Sequence, residues 1–191
     1  MSAILEAAEQ GVDAIEEGSL RSVFERAGVA PGSFYEYFAS REALLGAVVE
    51  RITERNFETF LAEIDQKTGD EDDFERAIRV GAEVIARHYL RHPKRLAAVI
   101  RWAERLGQLP HVSRERDRFA DAVAARVERW APEMSSGERS ALLRRVADAV
   151  TGVVVVSIHR APVPPTEEVV TAAGDAAWGI VKVHRERLGL S

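Results

Sequence analysis

Residues 19–45 read SLRSVFERAGVAPGSFYEYFASREALL, and this stretch decides the fold. Its apolar spacing predicts a short helix over 19–26. Gly28 stands where that helix must end, a position near positive φ that glycine tolerates best. Pro31 suits the first turn of a second short helix, predicted over 30–36, because its missing N–H is no loss there. Ser40 is expected to cap a third helix starting at Arg41. Val23, Val29, Phe34 and Phe38 form the expected small core that pins the two short helices at a fixed angle. Helix, tight turn, helix is the order of a helix-turn-helix, whose second helix enters a DNA major groove.

Working outward, apolar residues recur at spacings of three and four, interrupted by turn residues. Upstream, a helix is predicted over 2–16, with Gly11 inside it. Downstream, the helix from 41 runs to about 65, and the acidic, glycine-containing stretch 67–72 reads as a loop. The next helix, 73–91, stops at His92-Pro93, because the residue before proline avoids the α region. Helices over 94–107 and 111–131 follow, the second closed by Pro132. Ser135 and Glu138 have capping-box spacing and should open a helix over 136–160. The run APVPP at 161–165 cannot continue it, and Thr166 is expected to cap a last helix over 167–188. The β-branched run 150–158 conflicts locally with helix. Leu142, Leu143, Val146, Ala149 and Val150 keep a helical period, and a lone strand would have unpaired edges. The fold class is therefore all-α, with about nine helices.

The 191-residue chain is 46% hydrophobic and 30% charged, enough for a substantial core. It holds no cysteine, which rules out disulfides and thiolate metal sites and fits a cytoplasmic protein. No apolar run is long enough to span a membrane, and no secretion signal is apparent at the N-terminus. Charge is unevenly spread. Residues 1–51 carry four arginines and nine acids, a balance of −5, whereas the other 140 residues balance at zero. Phosphate neutralisation drives duplex affinity, so an acidic N-terminal segment is the opposite of the usual footprint. Within 19–41 itself the count is three basic to two acidic.

The AGV turn, the aromatic cluster Phe34-Tyr35-Tyr37-Phe38 and the following SREALL resemble the tetracycline-repressor (TetR) family of transcriptional regulators. The resemblance implies a helix-turn-helix head over 1–45 and a C-terminal effector-binding and dimerisation domain over 46–191. It implies a ligand-responsive regulator, more often repressor than activator, that binds double-stranded DNA as a homodimer and is released by a small molecule. By that resemblance Ser33, Glu36 and Tyr37 project toward the groove and backbone, while Arg21, Tyr35 and Arg41 match positions that contact phosphate. The resemblance places Tyr89, Trp102, Phe119 and Trp130 on helices that line the effector chamber in such regulators. The resemblance implies that the last two helices form the dimer interface, with Gly152, Val153, Val156, Ala173, Ala177, Ile180 and Val181 on it. No cofactor, metal or membrane partner is implied, and no enzymatic activity. The chain departs from the family pattern at Gly11 and the linker 15–18, which shorten the first helix, and at Phe24, where a small alanine is usual.

Two other readings remain open. A helical enzyme finds no support in a phosphate loop, a nucleophile elbow, an HExxH or paired carboxylates. A dimeric ligand- or protein-binding module of the same fold, with weak or lost DNA binding, is the alternative that the acidic N-terminal segment favours. His88 and His92 are four apart and could share a metal on one helix face. No acid completes that set, and His92 at a helix end is explained by the helix dipole.

Overall fold

The structure, a computed structural model, describes residues 2–11, 20–69 and 72–190, and describes the backbone alone at Ser2, Pro31, Ser33 and Phe34. Nine α-helices and no strand occur among the described residues: α1 (Ser2–Gln10), α2 (Arg21–Ala27), α3 (Pro31–Tyr37), α4 (Arg41–Thr68), α5 (Phe74–Arg91), α6 (Pro93–Arg105), α7 (Leu109–Val127), α8 (Ser136–Ile158) and α9 (Thr166–Arg187). The all-α expectation holds. The predicted extension of the first helix and the linker 15–18 lie outside the described residues.

Helix ends follow local chemistry. The carbonyl-rich end of α2 is closed by Gly28 at φ 66°, ψ 30°, whose N–H reaches back to the carbonyls of Phe24 and Glu25. The Ser40 hydroxyl accepts from the Ala43 N–H at 3.1 Å at the start of α4. Asp73 caps α5 by accepting from the Arg76 N–H. The Ser135–Glu138 capping box is complete, the Glu138 carboxylate accepting from the Ser135 N–H at 2.8 Å. Those hydrogen bonds from Ser135 hold the Glu138 carboxyl below its usual range. At α9 the expectation is corrected: Thr166 is the first helical residue, and Pro165 occupies the cap position with no side-chain hydrogen bond. Pro165 has extended torsions there (φ −55°, ψ 143°), so the helix begins one residue earlier than expected.

The β-branched run is helical. Val150, Val154 and Ser157 all face inward, the two valines at 0% exposure, so burial at helical spacing overrides strand propensity. The expected loop at 67–72 also begins later, because α4 continues to Thr68, whose hydroxyl donates to the Ile64 carbonyl at 2.8 Å. Arg129 donates to the carbonyls of Thr68 and Gly69, supplying the groups that a helix end leaves unpaired.

The chain divides into two compact units. Unit 1 comprises residues 1–56 and 94–113, and unit 2 comprises 57–93 and 114–191. Unit 1 has a core of Ile4 and Ala8 from α1, Val23 from α2, and Leu44, Leu45 and Val48 from α4. Trp102 and Ala98 of α6 belong to the same core. Phe24, the departure from the small residue usual in relatives, is accommodated half-buried against it. Unit 2 packs α5 against α8 and α9, and α8 against α9. Its α5–α9 seam is laced by Arg79, which donates to Glu75 at 2.7 Å and Asp175 at 2.6 Å, and by Arg87, bidentate to Glu167.

Candidate nucleic-acid interface and effector chamber

In unit 1, α3 is a seven-residue helix opened by Pro31. The αL turn at Gly28 separates it from α2. It presents a polar, aromatic surface. Tyr35 is 71% exposed and Tyr37 is 50% exposed, and Glu36 between them is exposed as well. Two large aromatics on the outside of one short helix run against their burial preference. A phenolic hydroxyl both donates and accepts hydrogen bonds, so this outward face carries polar as well as apolar contact area. The backbone of Ser33 is in α3, while its side chain lies outside the described residues. Phe38, expected in the core, is buried; the side chain of Phe34 is outside the description.

Arg21, the first residue of α2, is exposed and pairs with Glu25 one turn on at 2.8 Å. Arg41 behaves differently. It is half-buried, and its guanidinium lies 5.5 Å from the centre of the Trp102 ring. Arg105 approaches the same ring at 5.1 Å. Cation–π contacts of this kind hold a guanidinium in place.

The excess of acid in the N-terminal segment is partly an internal matter. Glu9 of α1 is only 5% exposed, and its carboxylate accepts from Arg95 of α6 at 2.7 Å and Arg51 of α4 at 3.3 Å. Arg55, one turn further along α4, stands 3.4 Å away. Three arginines thus surround one acid inside unit 1. Because α6 brings Lys94, Arg95, Arg101 and Arg105, the whole unit carries nine basic and eleven acidic side chains, a balance of −2. Sequence reading missed Glu9 and the membership of α6. One signal for the first was an acid set among Ile4, Ala7 and Ala8 on the apolar side of α1.

Unit 2 contains a cavity of about 60 Å³ between α4, α5, α7 and α8. Ile78, Ile85, Phe119, Trp130, Leu143 and Val150 are among its walls. Two of the four expected chamber residues, Phe119 and Trp130, therefore meet there. Trp130 lies in the turn after α7, with Arg129 stacked on its ring at 3.8 Å. Tyr89 is on the same aromatic cluster without lining the cavity. Its ring meets Phe60 edge-on at 5.4 Å, and Phe60 in turn meets Phe119 at 5.9 Å. Burial pushes the Tyr89 phenol up to about 12, with Arg116 pulling the other way. Trp102 is in the core of unit 1 and not with the other three. His88 packs edge-on against Phe60 at 4.9 Å, and His92 is the residue closing α5.

On α8 and α9 the expected interface residues divide by burial. Ala173, Ala177 and Val181 are at 0% exposure, covered by the chain's own packing. Gly152 and Val156 face outward, and Val153 and Ile180 are half-buried. Val183, exposed on α9, extends this outward apolar face. His184 stands beside it, its Nδ1 3.2 Å from the Arg145 guanidinium. Burial, then Arg145, lowers its pKa, Arg187 adds to that, and Glu138 opposes it.

Comparison with known proteins fits this geometry. Residues 3–48 match the model of bacterial regulatory proteins of the TetR family. The fold is similar to that of a TetR family transcription regulator from Marinobacter aquaeolei, at 16% identity over 93% of each chain with a TM-score of 0.63. It is also similar to a TetR transcriptional regulator from Rhodococcus, at 19% identity over 94% of each chain and a TM-score of 0.63. A third likeness is to the fatty acid degradation regulator FadR from Bacillus halodurans, at 16% identity, covering 93% of this chain and 97% of that one, with a TM-score of 0.63. No curated protein matches the sequence. No helix among the described residues is long and apolar enough to cross a membrane. Residues 3–48 thus match the N-terminal segment of TetR-family regulators, and the nine helices among the described residues share the fold of these solved structures.

Proposed function

We propose that the protein is a homodimeric transcriptional regulator that binds duplex DNA through α3 and is controlled by a small molecule held in unit 2. The observation that carries the reading is the outward pair Tyr35 and Tyr37 on a short helix behind an αL turn. Ser33, Glu36 and Tyr37 face the groove and backbone, and Arg21 and Tyr35 meet phosphates. Arg41 reaches a phosphate from a platform, its plane held by Trp102. Residues 1–45 serve as the reading head, and 46–191 serve effector binding and dimerisation.

A second protomer covers the outward face of Gly152, Val156, Ile180 and Val183, so that two α3 helices read successive grooves roughly 34–36 Å apart. The effector chamber is the cavity lined by Phe119 and Trp130. Control requires only about 1–3 kcal/mol of coupling between the effector and DNA sites. Repression relieved by the effector is the mode that the family suggests. The acidic balance of unit 1 supports one alternative, a dimeric binding module with weak DNA affinity.

Selection from random duplexes, followed by a salt titration, tests the reading. A regulator loses affinity as salt rises, with a log–log slope of about −0.9 per phosphate contacted. Tyr37→Ala is expected to weaken a selected duplex roughly tenfold, the factor equivalent to about 1.4 kcal/mol. No preferred duplex in the selection favours the binding module. Val156→Glu with Val183→Glu should give a folded monomer by sedimentation; a persisting dimer places the interface elsewhere.

A further inference from the structure

The lining of the unit 2 cavity carries a chemical selectivity, and the inference rests on reading that cavity as the effector chamber. Its walls are aliphatic and aromatic. Apart from the indole N–H of Trp130, the polar side-chain groups on it come from Thr68 and Arg126. The Thr68 proton is used by the Ile64 carbonyl at 2.8 Å. Arg126 is held on two sides. Its Nε and Nη2 donate to the two Asp65 oxygens at 2.5 and 2.8 Å, and its Nη1 donates to the Ala122 carbonyl at 2.9 Å.

A guanidinium at the edge of an apolar cavity would ordinarily recruit a carboxylate. Here that place is taken. Hydrogen bonding from Arg126 holds the Asp65 carboxyl below its usual range, so it stays ionised at neutral pH. A ligand carboxylate approaching Arg126 meets the negative charge of Asp65, and a ligand ammonium meets Arg126. Charged groups taken from water into apolar surroundings need a partner of their own. The cavity offers none. Its size, about 60 Å³, is several times the roughly 10–15 Å³ that one water needs on the same measure. We infer that the cavity takes a small uncharged, hydrocarbon-like molecule, a single ring or short branched chain, and that the Asp65–Arg126 pair rejects carboxylates and amines of the same size.

The test titrates the full chain, without DNA, with toluene, benzoate and benzylammonium, following the thermal midpoint and tryptophan fluorescence. Toluene is expected to raise the midpoint saturably, as any ligand selective for the native state does. Benzoate and benzylammonium should bind at least about tenfold more weakly. Asp65→Asn should raise benzoate affinity roughly tenfold and leave toluene unchanged. Ala147→Leu, which fills part of the cavity, should weaken toluene by a similar factor. If that variant fails to fold, Asp65→Asn, changed at a half-exposed position, still decides. Benzoate binding as tightly as toluene, no toluene binding, or an unaltered benzoate affinity in Asp65→Asn overturns the inference. These readouts need no duplex, so a chain that binds no DNA still answers. Whether toluene releases a selected duplex tests the effector reading separately.

Discussion

Unit 1 buries a carboxylate, and unit 2 buries a guanidinium; the two are satisfied by different kinds of partner. Glu9 gathers three arginines from α4 and α6, each at least a third exposed along its own side chain. Arg139, 5% exposed, turns inward to backbone, donating to the carbonyls of Ala131 and Met134, with Glu128 3.1 Å away on its open side. In the first case the charged partners can fall back to water when the centre is removed. In the second, the buried Met134 carbonyl would lose its side-chain donor, and the Ala131 carbonyl would keep only the Met134 N–H at 3.2 Å. An unmade buried hydrogen bond costs more than a made one contributes, so the kind of partner should set the cost of removal.

Arg139→Met is accordingly expected to be the most damaging change, at about 3 kcal/mol, read from a shifted urea midpoint. Glu9→Ala should cost about 2 kcal/mol, with Glu9→Gln intermediate, because its arginines remain solvated. Equal losses for Arg139→Met and Glu9→Ala would erase the contrast. Gly81→Ala probes the α5 wall of the cavity. An added Cβ would sit 3.8 Å from the Ile64 Cδ1, ordinary contact, so the helix should gain about 0.5–1 kcal/mol. A loss there would mean that α5 is tighter around the cavity than its geometry indicates.

The smallest effect is a pH slope. Burial lowers the His184 pKa from 6.5 in the fold, so the unfolded chain binds the proton more readily. Stability is therefore full above about pH 6.5 and declines as pH falls through the lowered folded value. Arg145 and Arg187 strengthen this and Glu138 opposes it. His184→Gln should flatten the decline, measured as thermal midpoint against pH from 7.5 downward to roughly 5.

What was legible in the sequence was whatever closes within a few residues. Ser135 with Glu138, Ser40 with Ala43 and Gly28 after α2 were each readable because both partners lie on one turn. The β-branched run was readable as helix because Leu142, Leu143, Val146, Ala149 and Val150 carry a helical period into it, and all but Ala149 are buried. Partners distant in sequence were not. Glu9 and Arg95 are 86 positions apart, and no local pattern ties α1 to α6. Trp102 illustrates the same limit: its helix reads as amphipathic, but periodicity says which face is buried and not against what. The outward side of α3 was legible at Tyr35 and Tyr37, while the placement of the Arg41 guanidinium depends on a ring 61 positions away.

The turn at Gly28 has a consequence for handedness. Its φ is 66°, yet nothing stands within 4 Å of where a Cβ would be. Torsion alone, and not crowding, selects glycine there. An L-alanine would be strained by roughly 1 kcal/mol or more, whereas its mirror image favours that same torsion. A semisynthetic chain with D-alanine at position 28 should keep the turn between α2 and α3 and restrict the unfolded ensemble, becoming more stable by about 0.4–1 kcal/mol.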